Sequence, residues 1–238
     1  MMELKEKEKF DILESQFAEI QRKLADKINL VNRLSIKDID LISGVDLAYW
    51  ESKGKEYAVC CIVMLSCKTR EIVEMKYLSG EVTVPYVAGY LSFRELPLIL
   101  ETYKLLENNP DVIMFDGNGY LHYRNMGIAT HASFYLNKPT IGVAKSYLKI
   151  DNVDYMMPED KVGAFTDIII NGKVYGRALR THKGVRPIFV SCGNWIDLDT
   201  ATELVLDLID KESHLPMIIR KADIETRKQR SKLMSQPQ

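Results

Sequence analysis

Three strand-like runs, residues 41–47, 57–65 and 72–78, are joined by connectors of only a few polar residues, 51–55 and 67–70. Parallel neighbours need a crossover of about a dozen residues or more, so these runs must pair as an antiparallel meander. The pattern then changes. Residues 89–106 read as helical, and Pro97 should end one helix or start another, because proline has no N–H for the helical ladder. The apolar run 111–115 reads as a buried strand, 125–136 as a helix and 139–144 as a second buried strand. The order β-β-β-α-β-α-β predicts an α/β chain in which a meander feeds two parallel units.

Ahead of the meander, Phe10, Leu13, Phe17, Ile20, Leu24 and Ile28 recur at spacings of three and four. That predicts an amphipathic helix over about residues 8–28, its other face charged and solvated. Later, residues 165–170 and 174–179 flank Asn171-Gly172, a two-residue hairpin turn. Residues 187–191 suggest a further strand, and 201–209 and 216–228 suggest helices. No repeat or linker divides residues 1–238, so a single domain is expected, with a disordered tail after about residue 230.

The 238 residues are 46% apolar, enough for a sizeable core. With 32 basic against 33 acidic residues, any basic surface must be local. Residues 173–186 carry Lys173, Arg177, Arg180, Lys183 and Arg186 and no acid. Arg177, Arg180 and Lys183 are therefore phosphate-contact candidates. Arg220, Lys221, Arg227, Lys228 and Arg230 form a second basic run. No apolar stretch approaches the roughly 20 residues of a membrane helix, and the Lys- and Glu-rich start does not read as a signal peptide. A cytoplasmic protein is expected. Its four cysteines, at 60, 61, 67 and 192, read as reduced core thiols and not as a zinc site.

Asp46 interrupts one apolar run, and Asp116 ends another just before Gly117-Asn118-Gly119. A carboxylate in such a place is costly without a cation or several donors, although either one alone reads as a strand or turn cap. In a sheet ordered 3-2-1-4-5 the two would project from adjacent parallel strands, about 4.8 Å apart, at the same end. Both would then reach one hard divalent cation, Mg²⁺ or Mn²⁺, which relieves their repulsion. Carboxylates around such a metal suit phosphoryl transfer.

Several segments, in order, resemble the endonuclease V family. They are Ser43-Gly44-Val45-Asp46, the block Pro85-Tyr86-Val87-Ala88-Gly89-Tyr90-Leu91-Ser92-Phe93-Arg94-Glu95, Asp116-Gly117-Asn118-Gly119 and Pro139-Thr140-Ile141-Gly142-Val143-Ala144-Lys145-Ser146. Gly176-Arg177-Ala178-Leu179-Arg180, Ser191-Cys192-Gly193-Asn194 and the closing Leu215-Pro216 and Arg220-Lys221-Ala222-Asp223 continue the match. The resemblance implies an RNase H-like mixed sheet flanked by helices, with an extra C-terminal β-hairpin and helices. It implies Asp46, Asp116 and Glu95 as metal ligands, and Lys145 and Asp223 as further catalytic groups. It makes Pro85, Tyr86, Val87 and Ala88 a strand-separating wedge, and Gly117, Asn118 and Gly119 the wall of a pocket for a flipped base. Backbone N–H groups of that loop would receive O6 of hypoxanthine.

The implied activity is Mg²⁺-dependent cleavage of the second phosphodiester bond 3′ to inosine in DNA, leaving 3′-hydroxyl and 5′-phosphate ends. Inosine-bearing RNA is a further implied substrate, and a monomer is expected. Many relatives end the wedge in Pro where this chain has Ala88, and often have His at the positions of Asn118 and Asn194 and Pro at Cys192. The alternatives are another RNase H-like, structure-specific nuclease and a non-catalytic reader of damaged nucleic acid.

Overall fold

The computed structural model describes residues 2–235, and side chains from residue 11 onward. The meander is β1 (Leu41–Ser52), β2 (Lys55–Ser66) and β3 (Ile72–Glu81). There follow α2 (Leu91–Tyr103), β4 (Val112–Asp116), α3 (Ile128–Leu136) and β5 (Thr140–Ala144), after an N-terminal α1 (Met2–Ala25). The chain continues with β6 (Phe165–Ile170), β7 (Lys173–Leu179), β8 (Ile188–Asn194), α4 (Leu198–Asp207) and α5 (Met217–Ser235).

The strand order is β3-β2-β1-β4-β5-β8-β7-β6, so the expected 3-2-1-4-5 core is present. The C-terminal hairpin extends that same sheet through β8, which lies antiparallel to β5. Its turn has Asn171 at φ 49° and Gly172 at φ 76°, the doubly left-handed turn that matches the twist of paired strands.

Strand alternation sends successive side chains into different halves of the core. Val112 and Met114 pack with α4 and α5 through Val205, Ile218 and Ile219. Ile113 and Phe115 pack with α2 and α3 through Leu96, Ile99, Ile128 and Ala132. Both faces of β4 are covered, which is why its sequence is a continuous apolar run and not an alternating one.

Four local expectations are corrected. Pro97 lies inside α2, which runs unbroken past it. A proline here costs about 3 kcal/mol, and burial of Leu96 and Ile99 on the sheet offsets it. The third helix starts at Ile128 and not near Asn125, which sits at φ 54°. The expected tail disorder does not hold for residues 231–235, which complete α5. Buried Thr226 and Gln229 dock that helix along its length. Residues 236–238 lie outside the described residues. The first helix is shifted too, ending at Ala25 and beginning by Met2. Among the described residues no helix is long and apolar enough to cross a membrane.

Candidate active site

β1 and β4 run parallel, in register from Ile42 beside Val112 to Val45 beside Phe115. The next residue on each strand is an aspartate, so Asp46 and Asp116 stand side by side. α5 lies close over this part of β1 because residue 44 is glycine. A Cβ there would meet the Ile218 backbone at 2.7 Å. That approach brings the following turns of α5 to the site. Thr226 Oγ1 donates to Asp46 Oδ2 at 3.1 Å and also to the Asp223 carbonyl at 2.9 Å. Arg227 Nε donates to Asp223 Oδ1 at 3.0 Å. Lys145, just past the end of β5, donates to Asp116 Oδ2 at 2.6 Å. Glu95 comes from α2 on the other side of the sheet, and the Tyr49 hydroxyl donates to its Oε1 at 2.7 Å.

The electrostatics follow from this crowding. Burial, reinforced by Asp116 and Asp223, pushes the Asp46 carboxyl up to about 6. Burial likewise pushes Glu95 up to about 7, opposed by the Tyr49 hydrogen bond and aided by Asp46. Burial works against the Lys145 ammonium, yet its bond to Asp116 holds it above the usual lysine value. Among the described residues no three His, Cys, Asp or Glu side chains form a ready-made cation cage. The donor set nevertheless fits a hard divalent cation: it is all carboxylate oxygen, and Asp46 carries unrelieved repulsion that such a cation would remove.

Beside the carboxylates lies a cavity of about 160 Å³. Its walls include Tyr86, Leu91 and Ser92 from the segment entering α2, and Gly117, Asn118, His122 and Met126 from the segment after β4. Tyr86 is 66% exposed at its mouth, flanked by exposed Pro85 and Ala88. Val87 is different: it is buried with Phe17 and Tyr90 and anchors the loop from within. Burial lowers His122 and His131 to about 4. His131 Nδ1 shares a 2.5 Å hydrogen bond with Ser92 Oγ, so His131 reaches the cavity wall through a partner.

The loop's N–H groups are less free than expected. The Gly117 N–H donates to Val143 O at 3.1 Å and the Gly119 N–H to Ser191 Oγ at 2.9 Å. Gly119 is present because Cys192 O occupies the space a side chain would need. Only the Asn118 N–H makes no hydrogen bond among the described residues, and Asn118 Oδ1 is buried without a partner. Asn194 is a structural residue: its Oδ1 accepts from the Asn29 N–H at 2.8 Å.

The basic run 173–186 divides. Arg177 is nearly buried between Asp167 at 2.9 Å and Asp199 at 2.6 Å. Arg180 is buried, donating to the carbonyls of Glu159, Pro158 and Val185 and pairing with Asp160 at 3.7 Å. Neither arginine is available to a phosphate, because acids and carbonyls from distant segments already use their N–H groups. Lys183 is exposed, with no ion pair among the described residues, and remains a candidate. Sequence reasoning missed Tyr49 and Thr226. Tyr49 lies three residues after Asp46 and Thr226 three after Asp223, but neither spacing is distinctive alone.

The sheet order, with carboxylates at the matching ends of its two central parallel strands, defines an RNase H-like α/β protein. The sequence pattern of the endonuclease V family matches residues 22–224. Endonuclease V of Bacillus thuringiensis subsp. konkukian is 60% identical over 219 residues, covering 92% of this chain and 93% of that protein. The crystal structure of Bacillus subtilis endonuclease V superimposes with a TM-score of 0.90 at 53% identity, covering 93% of each chain. Ciona intestinalis endonuclease V, in complex with a 24mer DNA containing an inosine followed by a ribo-adenosine, is 30% identical with a TM-score of 0.82. That match covers 92% of this chain and 98% of the other. The chain belongs to the endonuclease V family.

Proposed function

We propose that this protein is a DNA-repair endonuclease that recognises hypoxanthine, as inosine, and hydrolyses the second phosphodiester bond on its 3′ side. The products would carry 3′-hydroxyl and 5′-phosphate ends, and inosine-bearing RNA would be a second substrate. In this reading the enzyme works as a monomer in the cytoplasm. The observation that carries it is the adjacency of two features. A carboxylate pair with a lysine, Asp46, Asp116 and Lys145, lies next to a one-base cavity with an exposed aromatic, Tyr86, at its mouth. The Ciona relative's inosine-containing DNA supports the choice of substrate.

Asp46, Asp116 and Glu95 would hold Mg²⁺, with Mn²⁺ as a substitute. When bound, such an ion activates water and balances charge at the phosphate. Lys145 adds a fixed positive charge beside Asp116, where negative charge develops in the transition state. Asp223 and Thr226 orient the Asp46 side of the cluster from α5. Tyr86 stacks where the extruded base would have been, lowering the cost of eversion.

The cavity, at about 160 Å³, is smaller than the roughly 300–1,000 Å³ of ordinary ligand pockets and suits a single base. Hypoxanthine offers an acceptor at O6 and a donor at N1, where adenine offers an amine and an acceptor. Asn118 offers an unpaired N–H and a buried, unpaired Oδ1 at the wall. That pairing favours hypoxanthine and opposes adenine, and guanine must also place its 2-amine.

Matched oligonucleotides carrying inosine, adenine or guanine at one position, incubated with Mg²⁺ and with EDTA, test the proposal. Cutting beside inosine alone, and only with Mg²⁺, is expected. Equal cutting of all three would leave a structure-specific nuclease, and binding without cutting would leave a reader of damage.

A further inference from the structure

The two segments that wall the base cavity are tied together by a buried side chain from α1, Gln21, working with Arg124 of the segment after β4. Gln21 is fully buried. Its amide Nε2 donates to Gly89 O and to Met126 O, each at 3.3 Å. Gly89 belongs to the segment entering α2 and Met126 to the segment after β4, and both line the cavity. The Gln21 Oε1 accepts from Arg124 Nε at 2.5 Å. Arg124 closes the ring by donating from Nη2 to Gly89 O at 2.9 Å, with its guanidinium 4.1 Å over the Tyr90 ring.

The fit is specific to this residue type. Two carbonyls need two donors and one guanidinium needs an acceptor, and a glutamine amide is the side chain of this length that offers both. A glutamate would set a carboxylate oxygen against two carbonyls, and a methionine would leave Met126 O and Arg124 Nε without their Gln21 partner, while Gly89 O would keep only Arg124. Gly89 is constrained from the other side: its φ is +81°, and a Cβ would meet Arg124 Nη2 at 2.9 Å. Phe17, one turn earlier on α1, stacks on Phe93 of α2 at 3.9 Å between ring centres and fixes the height of the helix.

We infer that Gln21 is a positioning residue for base recognition, setting the distance between the two cavity walls without touching the carboxylates. The inference rests on the reading of the cavity as a base pocket. Gln21→Met should raise KM for an inosine oligonucleotide roughly tenfold and lower the preference for inosine over guanine by a similar factor, with kcat changed by less than about twofold. Gln21→Glu, which keeps the acceptor for Arg124, should move the same way, and it stands in should the methionine variant not fold.

A second readout needs no DNA. Amide hydrogen exchange in residues 85–92 and 120–127 should be faster in either variant than in the wild type. A variant with lower thermal stability but unchanged KM, unchanged base preference and unchanged exchange in those segments would overturn the inference. Wild-type protein that does not cut beside inosine would overturn the proposed function instead, and loop exchange would still decide whether Gln21 is the clamp.

Discussion

The carboxylate centre and the base cavity lie side by side but are built in opposite ways. Asp46 and Asp116 stand on central strands whose register is set by backbone pairing and covered by two layers of apolar packing. The cavity is walled mostly by loop residues, with the first turns of α2 and α3, and is held by a buried glutamine, an arginine–tyrosine stack and a Ser92–His131 hydrogen bond. The first is rigid because the sheet is rigid. The second rests on these polar contacts, each worth about 0.5–1.5 kcal/mol net, and on the small apolar cluster of Phe17, Val87 and Tyr90. Losses at the centre should therefore be abrupt and chemical, and losses at the cavity graded and felt in binding.

The sharpest break of that contrast is Asp46→Ala. It removes a carboxylate whose charge is strained by burial and by Asp116, so cleavage should fall at least about 10³-fold while the fold persists. Cleavage rates beside circular dichroism check this, and a folded variant cutting near the wild-type rate would sink the carboxylate site. Tyr86→Ala tests the other region. Stacking is worth about 1–3 kcal/mol per base, so DNA binding should weaken about 5- to 150-fold, with kcat and melting temperature nearly unchanged because the ring is exposed. Loss of stability in that variant would mean that the ring packs and does not wedge.

The pH dependence of metal binding sharpens the comparison further. Asp46 is raised to about 6 and Glu95 to about 7, both above their unfolded values near 4. For an acid raised in this way, the folded state prefers the protonated form. That stability is fully present below about pH 4 and is lost as pH rises through 6 to 7. Metal-free protein should therefore lose stability from pH 5 to pH 8. Added Mg²⁺ should restore more of it at pH 8 than at pH 5, because at pH 5 it must displace protons. Thermal melts at both pH values, with Mg²⁺ and with EDTA, measure this; equal Mg²⁺ effects would argue against a shared carboxylate site.

The smallest effect separates the basic residues. Lys183→Ala should leave stability unchanged and flatten the salt dependence of DNA binding by about 0.7–0.9 log unit. Arg177→Met should leave that slope unchanged and lower stability by about 1 kcal/mol, since it removes the guanidinium's bonds to Leu198 O and Thr202 Oγ1 while its two acid partners stay in contact with water. Titrations at several salt concentrations decide between them, and an altered slope for Arg177→Met would restore it as a phosphate contact.

Much of this architecture could be read from residue order. Short polar connectors force an antiparallel meander, and Asn171-Gly172 forces a hairpin, because both are consequences of local geometry. The side-by-side aspartates were legible for the same reason: parallel pairing of two short strands puts their ends at one level. What pattern reading could not reach were the contacts between segments far apart in the chain. Nothing local says that Asp167 and Asp199 neutralise Arg177, that carbonyls around residue 159 consume Arg180, or that α1 carries a buried glutamine to the back of the cavity wall.

The sequence by itself determined the order of the first five strands, the side-by-side placement of Asp46 and Asp116 and the family to which the chain belongs. Only the tertiary structure decided which charges are free, which N–H groups of the Gly117–Gly119 loop are already spent, and what holds the cavity open. Periodicity and connector length act within a few residues, whereas the availability of a donor or a charge depends on whatever the fold brings against it.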